Sequence, residues 1–119
     1  MILVDTSVWV DHLRAGDAQL VSLLQAGEVL AHPFVTGEIA LGSLQQRQVV
    51  LSALARLPQA LVANDDEVLH FIGRNALAGA GIGYIDAHLL ASVRLVAGTS
   101  ILTRDKRLQS AALRLGLAA

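Results

Sequence analysis

No cysteine occurs among the 119 residues, which excludes disulfides, thiolate metal sites and thiol catalysis together. Proline is nearly as scarce: Pro33 and Pro58 are the only two, and both stand between apolar runs, where elements begin or end. No repeat, low-complexity tract or Pro/Gly/Ser linker divides the chain. One domain is therefore expected over residues 1–119, a size that buries a core without staples. Long apolar runs are also missing, because Asp, Gly, Glu or His interrupts every stretch well short of the roughly 18 to 20 residues a membrane span needs. The opening MILVDTSVWVDHLR has no basic leading region and carries Asp5 inside its apolar stretch. It does not read as a secretory signal, and a cytoplasmic protein beginning at or near Met1 is expected. Walker, GxSxG and GxGxxG patterns are absent. The nearest glycine-rich stretch, Gly79, Gly81 and Gly83, follows a helix-like segment and reads as a flexible turn that lets Asp86 approach a site.

Charge is thin as well. Charged residues make up 16% of the chain, against about 25% in typical soluble domains. Nine Lys plus Arg against ten Asp plus Glu give a formal charge of −1, which argues against holding nucleic acid by a broad basic face. Were the substrate a nucleic acid, a divalent cation would have to neutralise phosphate, helped by the one local basic cluster, Arg104, Lys106 and Arg107. Apolar residues reach 54% without counting ten glycines, above the roughly 45–50% typical even with glycine included. A homodimer or a standing partner that covers part of this surface is expected.

What is present is an alternation of short and long apolar patterns. Ile2-Leu3-Val4 is too brief for a helix and runs into Asp5-Thr6-Ser7, all good N-caps, so it reads as strand into helix. Further short runs lie at Val29 to Ala31, Ala60 to Val62 and Ser100 to Leu102. Helical spacing marks Leu20 to Leu24, Val35 to Leu41, Val49 to Leu57, Val68 to Leu77, Ile85 to Val96 and Leu108 to Leu115. Buried strands alternating with helices predict an α/β fold, a mostly parallel sheet covered on both faces. In such sheets ligands bind beyond the carboxyl ends of the strands.

Four of the ten acids resist a purely structural explanation. Asp11 pairs with Arg14 at helical spacing, and Asp17, Glu28 and Asp65-Asp66-Glu67 fit loops, caps or first helical turns. Glu38 instead has Phe34, Val35, Leu41 and Gly42 as its helical neighbours, and Asp86 has Ile82, Gly83, Leu89 and Leu90. A lone ionised carboxylate in apolar surroundings costs several kcal/mol unless paired, protonated or metal-bound. Asp5 and Asp105 follow predicted strands and so fall on the functional edge. Taken singly, each acid is readable as a helix cap or a half-exposed carboxylate. Together they make one cluster that would repel itself without divalent cations. Oxygen ligands, with no Cys and no His at zinc spacing, favour Mg²⁺ or Mn²⁺. His12, His32, His70 and His88 are dispersed and read as structural or solvated.

These residues bring a resemblance. ILVDTSVWVDHLR resembles the first motif of PIN-domain nucleases, and VTGEIALGSL, GIGYIDAHLLAS and ILTRDKRL are similar, in order, to the later acidic motifs of VapC-type toxins. The likeness extends from Ile2 to about Leu115. It implies a three-layer α/β/α fold with a four- or five-stranded sheet, although the short tail leaves little room for a closing strand. It implies that Asp5, Glu38, Asp86 and Asp105 are catalytic metal-site residues, with Thr6, Ser7 and Thr103 as polar support. It also implies Mg²⁺- or Mn²⁺-dependent cleavage of RNA, a homodimer and a cognate antitoxin, while Arg104 and Lys106 take no motif-level assignment. Two readings compete. A phosphatase or phosphoacceptor would want further residues beside the first Asp that are absent here, Ser7 standing where one type needs a second Asp. A catalytically silent PIN-like interaction module would be expected to have lost acids, and all four remain.

Overall fold

In the computed structural model, which describes residues 1–119, three strands form one parallel sheet: β1 (Ile2–Val4), β2 (Val29–Leu30) and β3 (Ser100–Leu102), in the order β2-β1-β3. Between and after them run α1 (Thr6–Ala15), α2 (Ala18–Gln25), α3 (Pro33–Leu41), α4 (Arg47–Arg56), α5 (Asp65–Arg74), α6 (Tyr84–Arg94) and α7 (Lys106–Arg114). Leu3 and Val4 on the central strand are both fully buried. Consecutive strand residues point to opposite faces, so apolar cover lies on both sides and the architecture is α/β/α.

The two expected outer strands shrink to single parallel bridges, Ala31 with Gln59 on one edge and Ile101 with Ala118 on the other. The run Ala60 to Val62 is not the buried strand its composition suggests, since Leu61 and Val62 are exposed. Its partner strand gives out: Ala60 still donates to the Ala31 carbonyl at 2.8 Å, but the next residue, His32, caps α3 and Pro33 begins it. Proline has no amide hydrogen to extend a ladder and suits the first turn of a helix. At the other edge the pairing is the single bridge of Ile101 with Ala118.

The helices follow from local chemistry. Asn64 accepts from the Glu67 amide while Glu67 accepts from the Asn64 amide, and Asp65, Asp66 and Glu67 fill the first turn of α5, a capping box with charge that suits the dipole. Ala87 through Val93 of α6 are all buried, which makes α6 the most enclosed helix. Helix α7 is amphipathic, with Leu108, Ala111 and Ala112 buried and its cations on the outside.

His32 joins these layers. It is fully buried; Nδ1 accepts from the Phe34 amide at 3.1 Å and Nε2 lies 3.1 Å from Ser92 Oγ on α6. An acceptor at Nδ1 requires the neutral ring to carry its proton on Nε2, which then donates to Ser92. Burial, with a smaller contribution from His88, pushes its pKa down to about 4 from 6.5. The unfolded chain therefore binds the extra proton between these two values, and stability rises with pH across that window. We predict that urea midpoints hold above pH 6.5 and fall as pH drops toward 4, His32 contributing about 3 kcal/mol of the loss. A His32→Gln variant should be weaker at pH 7 but flatter over the same range; an unchanged slope would remove His32 as the cause.

Candidate active site

The site begins where β1 ends. The Asp5 amide donates to the Leu102 carbonyl at 2.9 Å, which carries the ladder one step past the strand and brings Asp5 beside Thr103. Asp5 occupies the N-cap position of α1 without capping it through its side chain. Its carboxylate, 6% exposed, instead accepts from Thr103 Oγ1 at 2.7 Å and Ser7 Oγ at 2.9 Å, both on Oδ2. Each hydroxyl is itself an acceptor, Thr103 for the Asp105 amide at 3.1 Å and Ser7 for the Arg104 amide at 3.0 Å. Each has one proton and each proton goes to Asp5, so the 3.4 Å approach between the two hydroxyls is proximity rather than a hydrogen bond.

The other three acids repeat a simpler version of this arrangement. Asp105 caps α7, its Oδ1 accepting from the Arg107 and Leu108 amides at 2.9 and 3.0 Å. Asp86, in the first turn of α6, accepts on Oδ2 from the Gly83 amide at 3.2 Å. Glu38 accepts on Oε1 from Thr6 Oγ1 at 2.7 Å. In every case the chain's donors hold one carboxylate oxygen and leave the other without a partner.

Burial corrects part of the sequence reasoning. Glu38 is exposed and Asp86 half-buried. The apolar residues around Glu38 do not form a buried stripe: Val35 and Ile39 face the core, while Leu41 is 89% exposed. Helix α3 is apolar on nearly every side, so its sequence carried no directional information. For Asp86 the reasoning holds better. Its pKa is raised from 3.8, first by burial, then by the charges of Asp5, Asp105 and Glu38, with the Gly83 amide opposing. Asp5, Asp105 and Glu38 thus each lie within electrostatic reach of Asp86. As the side chains stand, no three Asp, Glu or His residues are gathered tightly enough to hold a metal ion; each carboxylate is turned to its own anchoring donor.

The cations divide into two groups. Arg104 pairs with Asp11 at 3.0 Å and with Asp17, a contact that spans the β3–α7 junction and the α1–α2 turn and leaves its charge neutralised. Lys106 and Arg107 are exposed. They line a groove of about 540 Å³ with Arg114 and the 76–80 turn. Sequence reasoning passed over Arg114; seven and eight residues separate it from Arg107 and Lys106, the spacing that puts side chains on one side of a helix. The histidines, dispersed in sequence, are partly assembled in space: His32, Phe34, His88 and Tyr84 stack edge to face with centroids 5.2, 4.7 and 4.8 Å apart. His88 reaches Asp65 at 3.3 Å rather than the acids, while His70 is exposed.

Comparison with known proteins agrees with this layout. The family described as PIN domain matches residues 2–113. The chain is similar to Ribonuclease VapC32 of Mycobacterium tuberculosis, in strains CDC 1551 / Oshkosh and ATCC 25618 / H37Rv, at 56% identity over 118 residues, covering 99% of this chain and 95% of that protein. No helix is long and apolar enough to cross a membrane. A match that starts at β1 and ends within α7, on a parallel sheet with its acids at the carboxyl edge, makes the chain a member of the PIN-domain family.

Proposed function

We propose that this chain is an Mg²⁺- or Mn²⁺-dependent endoribonuclease, the toxic partner of a toxin-antitoxin pair. The observation that carries the reading is the half-buried Asp86, whose ionisation is opposed first by burial and then by the charges of Asp5, Asp105 and Glu38, with the Gly83 amide acting the other way. A fold gains nothing from holding four like charges together; a hard divalent ion is the species that relieves them. The donor set fits such an ion, being all carboxylate oxygen with one oxygen of each acid already fixed and the other free. The similarity to a ribonuclease supplies the substrate class.

Asp5 and Asp86 would hold the ion, with Glu38 and Asp105 as further ligands or as acceptors that orient water. When bound, the ion supplies Lewis acidity, polarising a phosphodiester and acidifying water. Thr103 and Ser7 fix the Asp5 carboxylate, and Thr6 fixes Glu38. Ser7 and Thr103 are given to holding Asp5, each hydroxyl donating to its carboxylate while each oxygen accepts an amide. Water would be the nucleophile, giving up a proton as it adds to phosphorus while the 3′ oxygen leaves and takes one up.

Partners follow the same reading. A cleft of about 490 Å³ between α1, α3 and α4 is lined by Val10, Leu13, Ile39, Leu44 and Val50 and reaches Glu38. Its apolar floor suits an antitoxin segment that would end beside the acids. The exposed Val49, Leu61, Leu69 and Leu113 support a homodimer.

Three outcomes test this. In Asp5→Asn the shape is kept and the charge removed; RNA cleavage with Mn²⁺ should fall by about 100-fold or more, and calorimetry should lose the Mn²⁺ binding heat. Undiminished metal-dependent cleavage would exclude Asp5. Asp86→Asn should bind Mn²⁺ poorly yet melt higher than wild type when metal-free at pH 7. The sign follows from the raised pKa: the folded state binds the extra proton, so ionised Asp86 costs stability at neutral pH and the cost fades as pH falls through its folded pKa. The difference in melting temperature should therefore shrink in acid; a less stable metal-free variant would contradict the repulsion. Light scattering at micromolar concentration should give a dimer mass, and a monomer would count against the apolar contact.

A further inference from the structure

The groove between α7 and the 76–81 turn differs from the other two principal grooves in carrying charge of one sign. It is lined by Lys106, Arg107 and Arg114 and by no acid, whereas one of the others contains Arg14 with Glu38 and the other sets Asp66 and Glu67 beside Arg74 and Arg94. In a chain whose formal charge is −1, three cations free of carboxylate partners in one groove are a concentrated share of what is available.

The groove is also built, not merely left open. Arg114 donates to the Asn75 and Ala76 carbonyls at 3.0 and 3.4 Å, contacts that hold the guanidinium in place without cancelling its charge. Arg107 lies against Gly81, close enough that a Cβ there would sit 2.9 Å from Arg107 Cδ. Gly81 has φ +80°, so the bare backbone both makes the turn and leaves room for the arginine. Lys106 makes no ion pair. From Lys106 to Arg114 the helix advances about 12 Å, a length that accommodates a few successive phosphates.

One end of this groove begins next to Asp105. Asp105 immediately precedes Lys106, and its Oδ1 accepts from the Arg107 amide at 2.9 Å. We propose that this groove is the track along which single-stranded RNA leaves the four-acid site, its phosphates held by Lys106, Arg107 and Arg114. The proposal rests on the ribonuclease reading and adds a direction to it. It assigns Arg114 a substrate contact, and it withdraws Arg104 from that role because Asp11 and Asp17 neutralise it. A polyanion with regularly repeated charge matches a row of cations that starts next to Asp105, and the similarity to a ribonuclease favours RNA over an acidic protein segment.

The test uses full-length protein with chelator, so that no cleavage occurs, and follows fluorescence anisotropy of a labelled oligouridylate over a salt series. Replacing Lys106, Arg107 and Arg114 by Gln should flatten the plot of log affinity against log salt by about 0.7 per cation removed, roughly 2 in all. A control with the exposed Arg47, Arg56 and Arg74 replaced by Gln removes the same charge and should keep the wild-type slope. Lys106→Gln alone, which breaks no contact within the chain, should give its share even if the triple variant folds poorly. An unchanged slope in both groove variants, or an equal loss in the control, overturns the track. So does displacement of the oligonucleotide by polyglutamate as readily as by unlabelled RNA, which would give the groove to an acidic protein. If wild type cleaves RNA with Mn²⁺ while the groove variants bind as it does, only the track fails; if wild type neither binds nor cleaves RNA, the ribonuclease reading fails with it.

Discussion

A carboxylate at the end of the central strand, 6% exposed, is costly to bury unless donors meet it there. Thr103 and Ser7 do so, and the consequence extends beyond Asp5 itself. Thr103 lies just past β3 and Ser7 in the first turn of α1, so their bonds to one oxygen lock the ends of two neighbouring strands and a helix start into one unit. The same two hydroxyls accept the amides of Arg104 and Asp105, which fixes the turn that presents Asp105. One buried charge thereby steadies the carboxyl edge and the turn that carries Asp105.

The organisation of that edge was readable from short-range signals. A three-residue apolar run followed by Asp-Thr-Ser announced strand, cap and helix, and each predicted helix appears with boundaries shifted by only a few residues. The family likeness rested on the same segments, and the PIN-domain match covers them. What was not readable depended on contacts distant in sequence. Ala60 to Val62 has the composition of a strand, yet strand length is set by the partner, and the partner stops where Pro33 opens α3. Glu38 was picked out by apolar neighbours at helical spacing, yet it proves to be exposed, because α3 buries Val35 and Ile39 on another side. The His32, Phe34, His88 and Tyr84 stack joins residues from two helices and a cap, and nothing in their local spacing announces it.

The balance between stability and purpose is visible in how the acids are held. Asp17 uses its charge within the fold, capping α2 by accepting from the Leu20 amide at 2.9 Å and pairing with Arg104. Asp5 takes the cap position and declines the cap bond, while Asp86 is placed where three other acids oppose its ionisation. These are losses by the standards of a stable fold. They fit the proposed cation, which the unspent oxygens would meet.

The same logic explains why the most conspicuous cation of the late motif is committed within the chain. Arg104 sits between Thr103 and Asp105, the two residues whose placement matters most to Asp5 and to α7. Its side chain crosses to Asp11 on α1 and to the Asp17 cap of α2, tying the β3–α7 turn to the layer that follows β1. Engaging RNA would release that tie and unfasten the turn it steadies. Lys106 and Arg107 carry no such duty to a partner acid, and Arg114 is held by carbonyls that leave its charge intact. A chain with few cations can therefore divide them by what they contact: those paired with acids shape the site, and those without acids are free to meet phosphate.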